Sequence, residues 1–114
     1  MVVSVLATDL DPSLIARAEV FGATGIYPGS DIESICKGLT AGHGVDGVIV
    51  CAGTSSNQPI ELCGAVTRLK GRVVVVGAVR MDIPREDYFK KEISVVISRS
   101  YGPGRYDPFY EEIW

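Results

Sequence analysis

The sequence has little of what nucleic-acid, zinc and membrane functions usually require. It contains one histidine and three cysteines in 114 residues, and the cysteines do not form the close pairs typical of zinc modules. No cluster of Lys or Arg occurs and the formal net charge is −3, which argues against a nucleic-acid partner. The longest apolar runs are far shorter than the ~20 residues of a membrane helix. With no leader visible before the first apolar segment, we expect a cytoplasmic protein with buried free thiols at Cys36, Cys51 and Cys63.

What the chain does contain is an alternation of apolar β-branched runs with amphipathic segments. Apolar residues make up 46% and charged residues 22%, the balance of one globular domain spanning residues 1–114. Continuous apolar runs predict strands covered on both faces, at 2–8, 24–28, 45–53, 72–79 and 93–100. Helical spacing predicts helices at 11–23, 30–42, 55–71 and 86–92. The alternation predicts an α/β fold with a parallel sheet and helices on both faces.

Capping residues set the expected helix ends. Asp11 before Pro12 is a good N-cap, and Ser30 with Glu33 forms a capping box. Gly22 and Gly71 are expected to end their helices. The side chains predicted to face inward are Leu14, Ile15, Ala18, Phe21, Ile32, Ile35, Cys36, Leu39, Ile60, Cys63, Val66 and Leu69.

Ligands of open parallel sheets bind beyond the carboxyl ends of the strands. Four such ends are predicted, at 8–10, 51–53, 77–79 and 98–100, and three of them are small or contain glycine, which lets a flat ligand approach the backbone. The first end carries Asp9. A carboxylate there can accept hydrogen bonds from a ribose diol and repel a 2′-phosphate, which favours NAD over NADP. The alternative is that Asp9 only begins a turn.

Other roles for the polar residues are weaker. Asp11, Asp31 and Asp46 are expected to be structural, and His43 to lie in a glycine-flanked turn. A phospho-receiver or a metal pair would need further acidic ligands at the later strand ends, which glycine and alanine cannot supply. Arg99 and Arg105 are expected to be solvated, with a phosphate or carboxylate contact as the alternative. A methyltransferase binding adenosylmethionine also holds a ribose with an acid after its second strand, so it stays as a competing interpretation.

Three segments together resemble a known family. The runs "VLATDLDPSLIARAEVFGAT", "GVDGVIVCAG" and "LKGRVVVVGAV" are similar, in order and spacing, to the Rossmann cofactor domain of medium-chain, zinc-type alcohol dehydrogenases, including threonine and sorbitol dehydrogenases. The resemblance covers residues 2 to about 100. The tail "SYGPGRYDPFYEE" resembles a bacterial branch fused to a second domain of the glucose–fructose oxidoreductase type.

The resemblance implies a role for each strand end. Asp9 matches the acid that binds the adenosine ribose, and Leu10 lies beside the adenine. The cofactor-lining residues implied further along are Cys51, Ala52, Gly53, Gly77, Ala78, Val79, Ser98 and Arg99. Many members carry a basic residue five positions after the ribose acid, where this chain has Leu14.

Family members also carry a first strand and a glycine-rich turn for the pyrophosphate, which have no counterpart here. Zinc and substrate belong to a separate domain that is likewise missing, so zinc would be used only there, if at all. The resemblance therefore implies a Rossmann-like fragment, from the second strand to the sixth, of an NAD-dependent dehydrogenase, with no catalytic residue of its own and no activity in isolation.

In the family's strand order the missing strand is central, and its absence would expose two apolar edges. We expect either a homo-oligomer that exchanges elements or direct closure of the family's second strand on its fourth. We also expect weak or undetectable affinity for NAD. A non-catalytic domain that acts by association through open edges is a third interpretation.

Overall fold

The computed structural model describes residues 3–99, which belong to two compact units. The first unit (Met1–Gly42) contains β1 (Leu6–Thr8), α1 (Pro12–Val20), β2 (Thr24–Ile26) and α2 (Ile32–Leu39). The second unit (His43–Trp114) contains β3 (Val45–Val50), α3 (Gln58–Val66), β4 (Thr67–Val75), α4 (Arg85–Lys90) and β5 (Ser94–Ile97). Strands and helices alternate along the chain, as the hydrophobic pattern predicts.

In the first unit β1 and β2 form a parallel pair that α1 covers. Leu6 lies opposite Thr24 and Thr8 opposite Ile26. The buried Ile15 of α1 packs against β2, and Gly25 makes this close approach possible, because a Cβ there would lie 2.6 Å from the Ile15 Cγ2. A side chain at Gly25 would therefore push the helix off the strand.

The ends of α1 follow the sequence prediction. Asp11 is the N-cap, Pro12 occupies the first turn, and Gly22 follows the helix at φ +100°, a conformation that favours glycine. The predicted inward positions of Leu14 and Phe21 are wrong, and Leu14 is 44% exposed. Phe21 is the C-cap residue, one position past the last helical turn, and its side chain is 88% exposed.

The start of α2 corrects the predicted capping box. Asp31, and not Ser30, is the N-cap, and its side chain accepts a hydrogen bond from Ser34 N at 3.1 Å. A carboxylate at this position also interacts favourably with the positive end of the helix dipole. Cys36 is the buried residue of α2, while Leu39, predicted to face inward, is exposed.

The second unit is built on a parallel three-stranded sheet in the order β3-β4-β5. Val50 lies opposite Val75, which lies opposite Ile97. One face of this sheet packs against α3 and α4. Its core cluster consists of Val50, Ile60, Cys63, Val73, Val75 and Tyr88. On the other face Ile49 is 69% exposed, so β3 is not covered on both sides as its continuous apolar run predicts.

The predicted boundary between α3 and β4 is also wrong. The helix ends at Val66, and Thr67 opens β4 opposite Val45, so Leu69 is exposed and Gly71 lies inside the strand. Thr67 decides the boundary, because its buried hydroxyl donates to Cys63 O at 2.6 Å while its backbone is extended. A β-branched residue favours that extended conformation.

The other strands are shorter than predicted, since β1, β2, β3 and β5 occupy only parts of the ranges 2–8, 24–28, 45–53 and 93–100. Within the first unit β1 pairs with β2, and within the second unit β3 pairs with β4. The expected direct closure of the family's second strand on its fourth stays a prediction. Residues 1–2 and 100–114, including Ser100 and Arg105, lie outside the described residues.

Candidate functional site

The carboxyl end of β1 presents an exposed carboxylate. Asp9 follows the strand directly, and its Oδ1 accepts a hydrogen bond from Asp11 N at 2.8 Å. This bond fixes the direction of the side chain, and no bond to the second oxygen is found within residues 3–99. Leu10 beside it is 90% exposed. Asp9 thus begins a turn and also keeps an oxygen available to a ligand.

The second aspartate of this segment has a different task. The Oδ1 of Asp11 accepts from Ser13 N at 2.9 Å and from Ser13 Oγ at 2.8 Å, as expected of a helix cap. The predicted capping role is confirmed. The two aspartates therefore do not act as a pair of ligands.

In the second unit, the loops that follow β3 and β4 lie against each other. Val76 N and Gly77 N both donate to Val50 O at 2.9 Å, and Thr54 N donates to Ala78 O at 2.9 Å. Thr54 and Val79 form an isolated parallel bridge. The structure thereby brings the predicted residues 51–53 and 77–79 together.

Gly77 and Gly53, in these two loops, differ in what a side chain would meet at their positions. A Cβ on Gly77 would lie 2.1 Å from Ala52 O, so this residue allows the two backbones to touch. A Cβ on Gly53 would meet no atom within 4 Å. Gly53 therefore borders open space, which is what a flat ligand close to the backbone needs.

The third strand end lies beside the second. Ser98 N donates to Val75 O at 2.9 Å, and both Ser98 and Arg99 are exposed. The ends of β3, β4 and β5 therefore lie in a row in the second unit. Asp9 and Leu10 lie in the first unit.

Asn57 and Asp82 were missed by the sequence interpretation. Asn57 Nδ2 donates to Asp82 O at 2.8 Å, and Asp82 N donates to Asn57 Oδ1 at 2.9 Å. Arg80 Nε donates to Asp82 Oδ2 at 2.5 Å. An asparagine before a helix is typical of an N-cap, and nothing in the sequence indicates a partner 25 positions away.

The three thiols divide into two groups. Cys36 and Cys63 are buried free thiols, as expected, but the expected burial of Cys51 is wrong, because this residue lies in the loop past the end of β3 and is exposed. Burial raises the pKa of Cys36, and it raises the pKa of the Cys63 thiol to about 11. Burial also raises the pKa of Tyr88, whose hydroxyl donates to Ile60 O at 2.7 Å. These buried groups stay neutral and support the core.

Within residues 3–99, no three His, Cys, Asp or Glu side chains lie close enough to hold a metal ion. The described residues thus do not fit zinc. His43 is exposed between Gly42 and Gly44. No helix in the described part of the chain is long and apolar enough to cross a membrane.

The class of protein follows from the fold and the strand ends. Solved structures of an NAD-dependent alcohol dehydrogenase (TM-score 0.69, 21% identity, 96% of this chain and 33% of that one) and of 2R,3R-butanediol dehydrogenase from Bacillus subtilis (TM-score 0.72, 23% identity, 95% and 32%) share the fold. So does alcohol dehydrogenase TADH from Thermus sp. ATN1, with a TM-score of 0.73 at 24% identity, over 84% of this chain and 28% of that one. The chain therefore has the Rossmann-like α/β fold of alcohol dehydrogenases.

The sequence identifies the family. Residues 1–114 match the sequence model of the family described as zinc-binding dehydrogenase. The chain is also 36% identical over 83 residues to a sorbitol dehydrogenase from Halalkalibacterium halodurans, covering 68% of this chain and 23% of the relative. The chain belongs to the zinc-binding dehydrogenase family. It spans about a quarter of the length of this curated relative, and the resemblance stated from the sequence is confirmed.

These comparisons give no support to the methyltransferase interpretation, and the fused second domain remains a prediction.

Proposed function

We propose that residues 1–114 are part of the NAD(P)-binding domain of an alcohol or polyol dehydrogenase. The observation that supports this most is the row of strand ends in the second unit, where the loops 51–53 and 77–79 lie in contact and Gly53 borders open space. Such an edge is where dinucleotides bind in doubly wound sheets. The proposed cofactor-lining residues there are Cys51, Ala52, Gly53, Gly77, Ala78, Val79, Ser98 and Arg99.

The adenosine end of the cofactor is assigned to Asp9 and Leu10. An exposed carboxylate whose Oδ1 already holds a backbone N–H has its Oδ2 available to a ribose hydroxyl. Its negative charge would repel a 2′-phosphate, which favours NAD over NADP. The exposed Leu10 would supply apolar surface beside the adenine.

When bound, the dinucleotide supplies the hydride chemistry of the whole enzyme. The residues of this chain bind and orient it, through one carboxylate at β1 and close backbone approach at β3, β4 and β5. None of them is assigned a catalytic role. We propose that the chain alone is inactive and that hydride transfer to or from an alcohol needs the substrate-binding part of the whole enzyme.

A titration of the 114-residue chain with NAD and NADP, followed by amide NMR shifts, tests this proposal. Of the weak or undetectable affinity expected from the sequence, we propose the detectable case: weak, millimolar binding, with shifts at 8–10, 51–53 and 77–79 and a preference for NAD. Asp9→Asn should reduce that preference, because the charge that repels the 2′-phosphate is removed. Asp11→Asn is the matched control, since asparagine caps a helix equally well and should leave both affinities unchanged.

The absence of any shift at millimolar NAD, or shifts located elsewhere, would contradict the proposal. Calorimetry showing micromolar affinity would support cofactor binding but contradict the expected weakness.

We further propose that the chain forms a homo-oligomer. Within the described residues β3 is paired only on its β4 side, and the apolar Ile49 on that edge strand is exposed. An edge with unpaired N–H and C=O groups is a template for pairing with a second chain.

A further inference from the structure

The amide of Asn57 makes a two-point connection between the loops that follow β3 and β4. It donates to the carbonyl of Asp82 and accepts from its N–H, at 2.8 and 2.9 Å. A pair of opposed hydrogen bonds fixes both the separation and the orientation of the groups it joins. Asn57 therefore holds the peptide backbone at Asp82 in one position relative to the start of α3.

This role replaces the one that the sequence position predicts. Asn57 is the N-cap of α3, yet its side chain makes no capping hydrogen bond and its backbone is helical (φ −87°, ψ −1°). Ser56 Oγ accepts from Gln58 N at 3.1 Å instead. Ser56 thus supplies a hydrogen bond at the start of α3, while the amide of Asn57 is used on Asp82.

The segment held in this way contains part of the proposed cofactor site. Between the end of β4 at Val75 and the start of α4 at Arg85, the chain forms no helix or extended strand. It is attached near its beginning by the bond from Thr54 N to Ala78 O and near its end by Asn57. Arg80 Nε, bonded to Asp82 Oδ2, closes the turn between these two attachments.

We propose that Asn57 is a positioning residue for cofactor binding. By fixing Asp82, it holds the segment 77–82 in the conformation that presents Gly77–Val79 beside Cys51–Gly53. Asn57 itself is not required to touch the dinucleotide. This inference rests on the proposed function, because it assumes that the cofactor lies against these two loops.

Amide hydrogen exchange and NAD titration of Asn57→Ala, in the 114-residue chain, test the proposal together. We expect the Asp82 amide to exchange about tenfold faster, and the NAD-dependent shifts of Gly77–Val79 to require about three- to tenfold more NAD, since one net hydrogen bond corresponds to about 1 kcal/mol. Gln58→Ala is the matched control, an exposed amide one position later on the same helix end. It should change neither quantity.

Asn57→Asp provides a second variant. It keeps an oxygen to accept from Asp82 N but places a negatively charged oxygen, instead of a donor, against Asp82 O, so we expect both effects to be at least as large as in Asn57→Ala. A purely structural role would change exchange throughout the second unit, whereas a positioning role confines the change to 77–83. Should Asn57→Ala not fold, Asn57→Asp alone decides between these outcomes.

The outcomes separate this proposal from the proposed function. If the unsubstituted chain shows no NAD-dependent shifts, the proposed function fails and the positioning role fails with it. If that chain binds NAD and Asn57→Ala binds it equally well, only the positioning role is overturned. If Asn57→Ala does not speed up hydrogen exchange at the Asp82 amide, the two-point connection itself is wrong.

Discussion

Asp9 and Asp11 lie two positions apart but have different roles, because their carboxylates accept hydrogen bonds from different backbone N–H groups. Asp11 holds the first turn of α1 by accepting from Ser13, while Asp9 accepts from the N–H of Asp11 and faces outward. The cysteines show the same principle. Cys63 lies in the core of the second unit, while Cys51, just past the end of β3, is exposed.

The thiols should therefore differ in reactivity. At about pH 8, iodoacetamide should label Cys51 at least ~10-fold faster than Cys36 and Cys63, because alkylation requires an accessible thiolate. Peptide mass spectrometry of the folded chain measures the three rates. Cys51→Ser should remove the fast phase only. Equal labelling rates of Cys36 and Cys63 in the folded and the denatured protein would contradict their assigned burial.

Cys63 also gives a pH dependence with a definite sign. Its pKa is raised from 9.0 to about 11 in the folded chain, so its contribution to stability is complete below about pH 9 and is lost as the pH rises through about 11. The free energy of unfolding of Cys63→Ala should consequently fall less steeply over this range than that of the unsubstituted chain. Urea denaturation at several pH values provides the comparison.

At the scale of elements, the end of α3 is held by a lysine from elsewhere in the chain. Lys91 Nζ donates to Gly64 O at 2.6 Å, to Thr67 O at 3.0 Å and to Ala65 O at 3.2 Å. A cation among the last carbonyls of a helix satisfies acceptors that have no partner in the helix and interacts favourably with its dipole. Lys91 thus stabilises the point where α3 ends and β4 begins.

We expect Lys91→Met to lower the free energy of unfolding by about 2–4 kcal/mol, because charged hydrogen bonds contribute about 1.5–3 kcal/mol each and their loss leaves carbonyls unsatisfied. Lys90→Met is the matched control: Lys90 is the exposed neighbour in the last turn of α4 and should change stability by less than ~0.5 kcal/mol. Urea denaturation followed by circular dichroism distinguishes them. Equal effects of the two substitutions would contradict the role given to Lys91.

Element type and order could be predicted from the sequence, but some boundaries could not. Apolar runs and helical spacing indicated all five strands and all four helices of residues 3–99. The segment 67–71 was predicted as helix because Leu69 fits a helical spacing. It is strand because Thr67 pairs with Val45 and because Lys91 holds the helix end, and both partners are distant in sequence.

In the candidate site, too, some features could be predicted from the sequence and others could not. The strand ends at 51–53 and 77–79 were expected to lie together because carboxyl ends of parallel strands share one edge. The Asn57–Asp82 connection was not expected, since a side chain that caps its own helix and one that reaches another loop have the same sequence pattern. Only the folded positions of the two loops separate these cases.

At the scale of the whole molecule, the strands of residues 3–99 form a two-stranded and a three-stranded sheet, and in the latter β3 is an edge strand paired only with β4. We expect size-exclusion chromatography with light scattering to show a dimer or larger species at micromolar concentration. Ile49→Lys should shift the population toward monomer, because a charge on an edge strand disfavours edge-to-edge pairing.

Leu39→Lys is the control for this experiment, an exposed leucine on a helix and not on a strand edge. It should leave the oligomeric state unchanged. A monomer at all concentrations tested would contradict association through β3.

By itself, the sequence determined the alternation of parallel strands and helices, the helix cap at Asp11 and the glycine at the end of α1. These features depend on hydrophobic periodicity and on hydrogen bonds between residues close in the chain. The tertiary structure decided where α3 becomes β4, which thiols are buried and how Asn57 is used. Those outcomes depend on contacts between residues that are distant in the sequence, and a local pattern of residues does not predict such contacts.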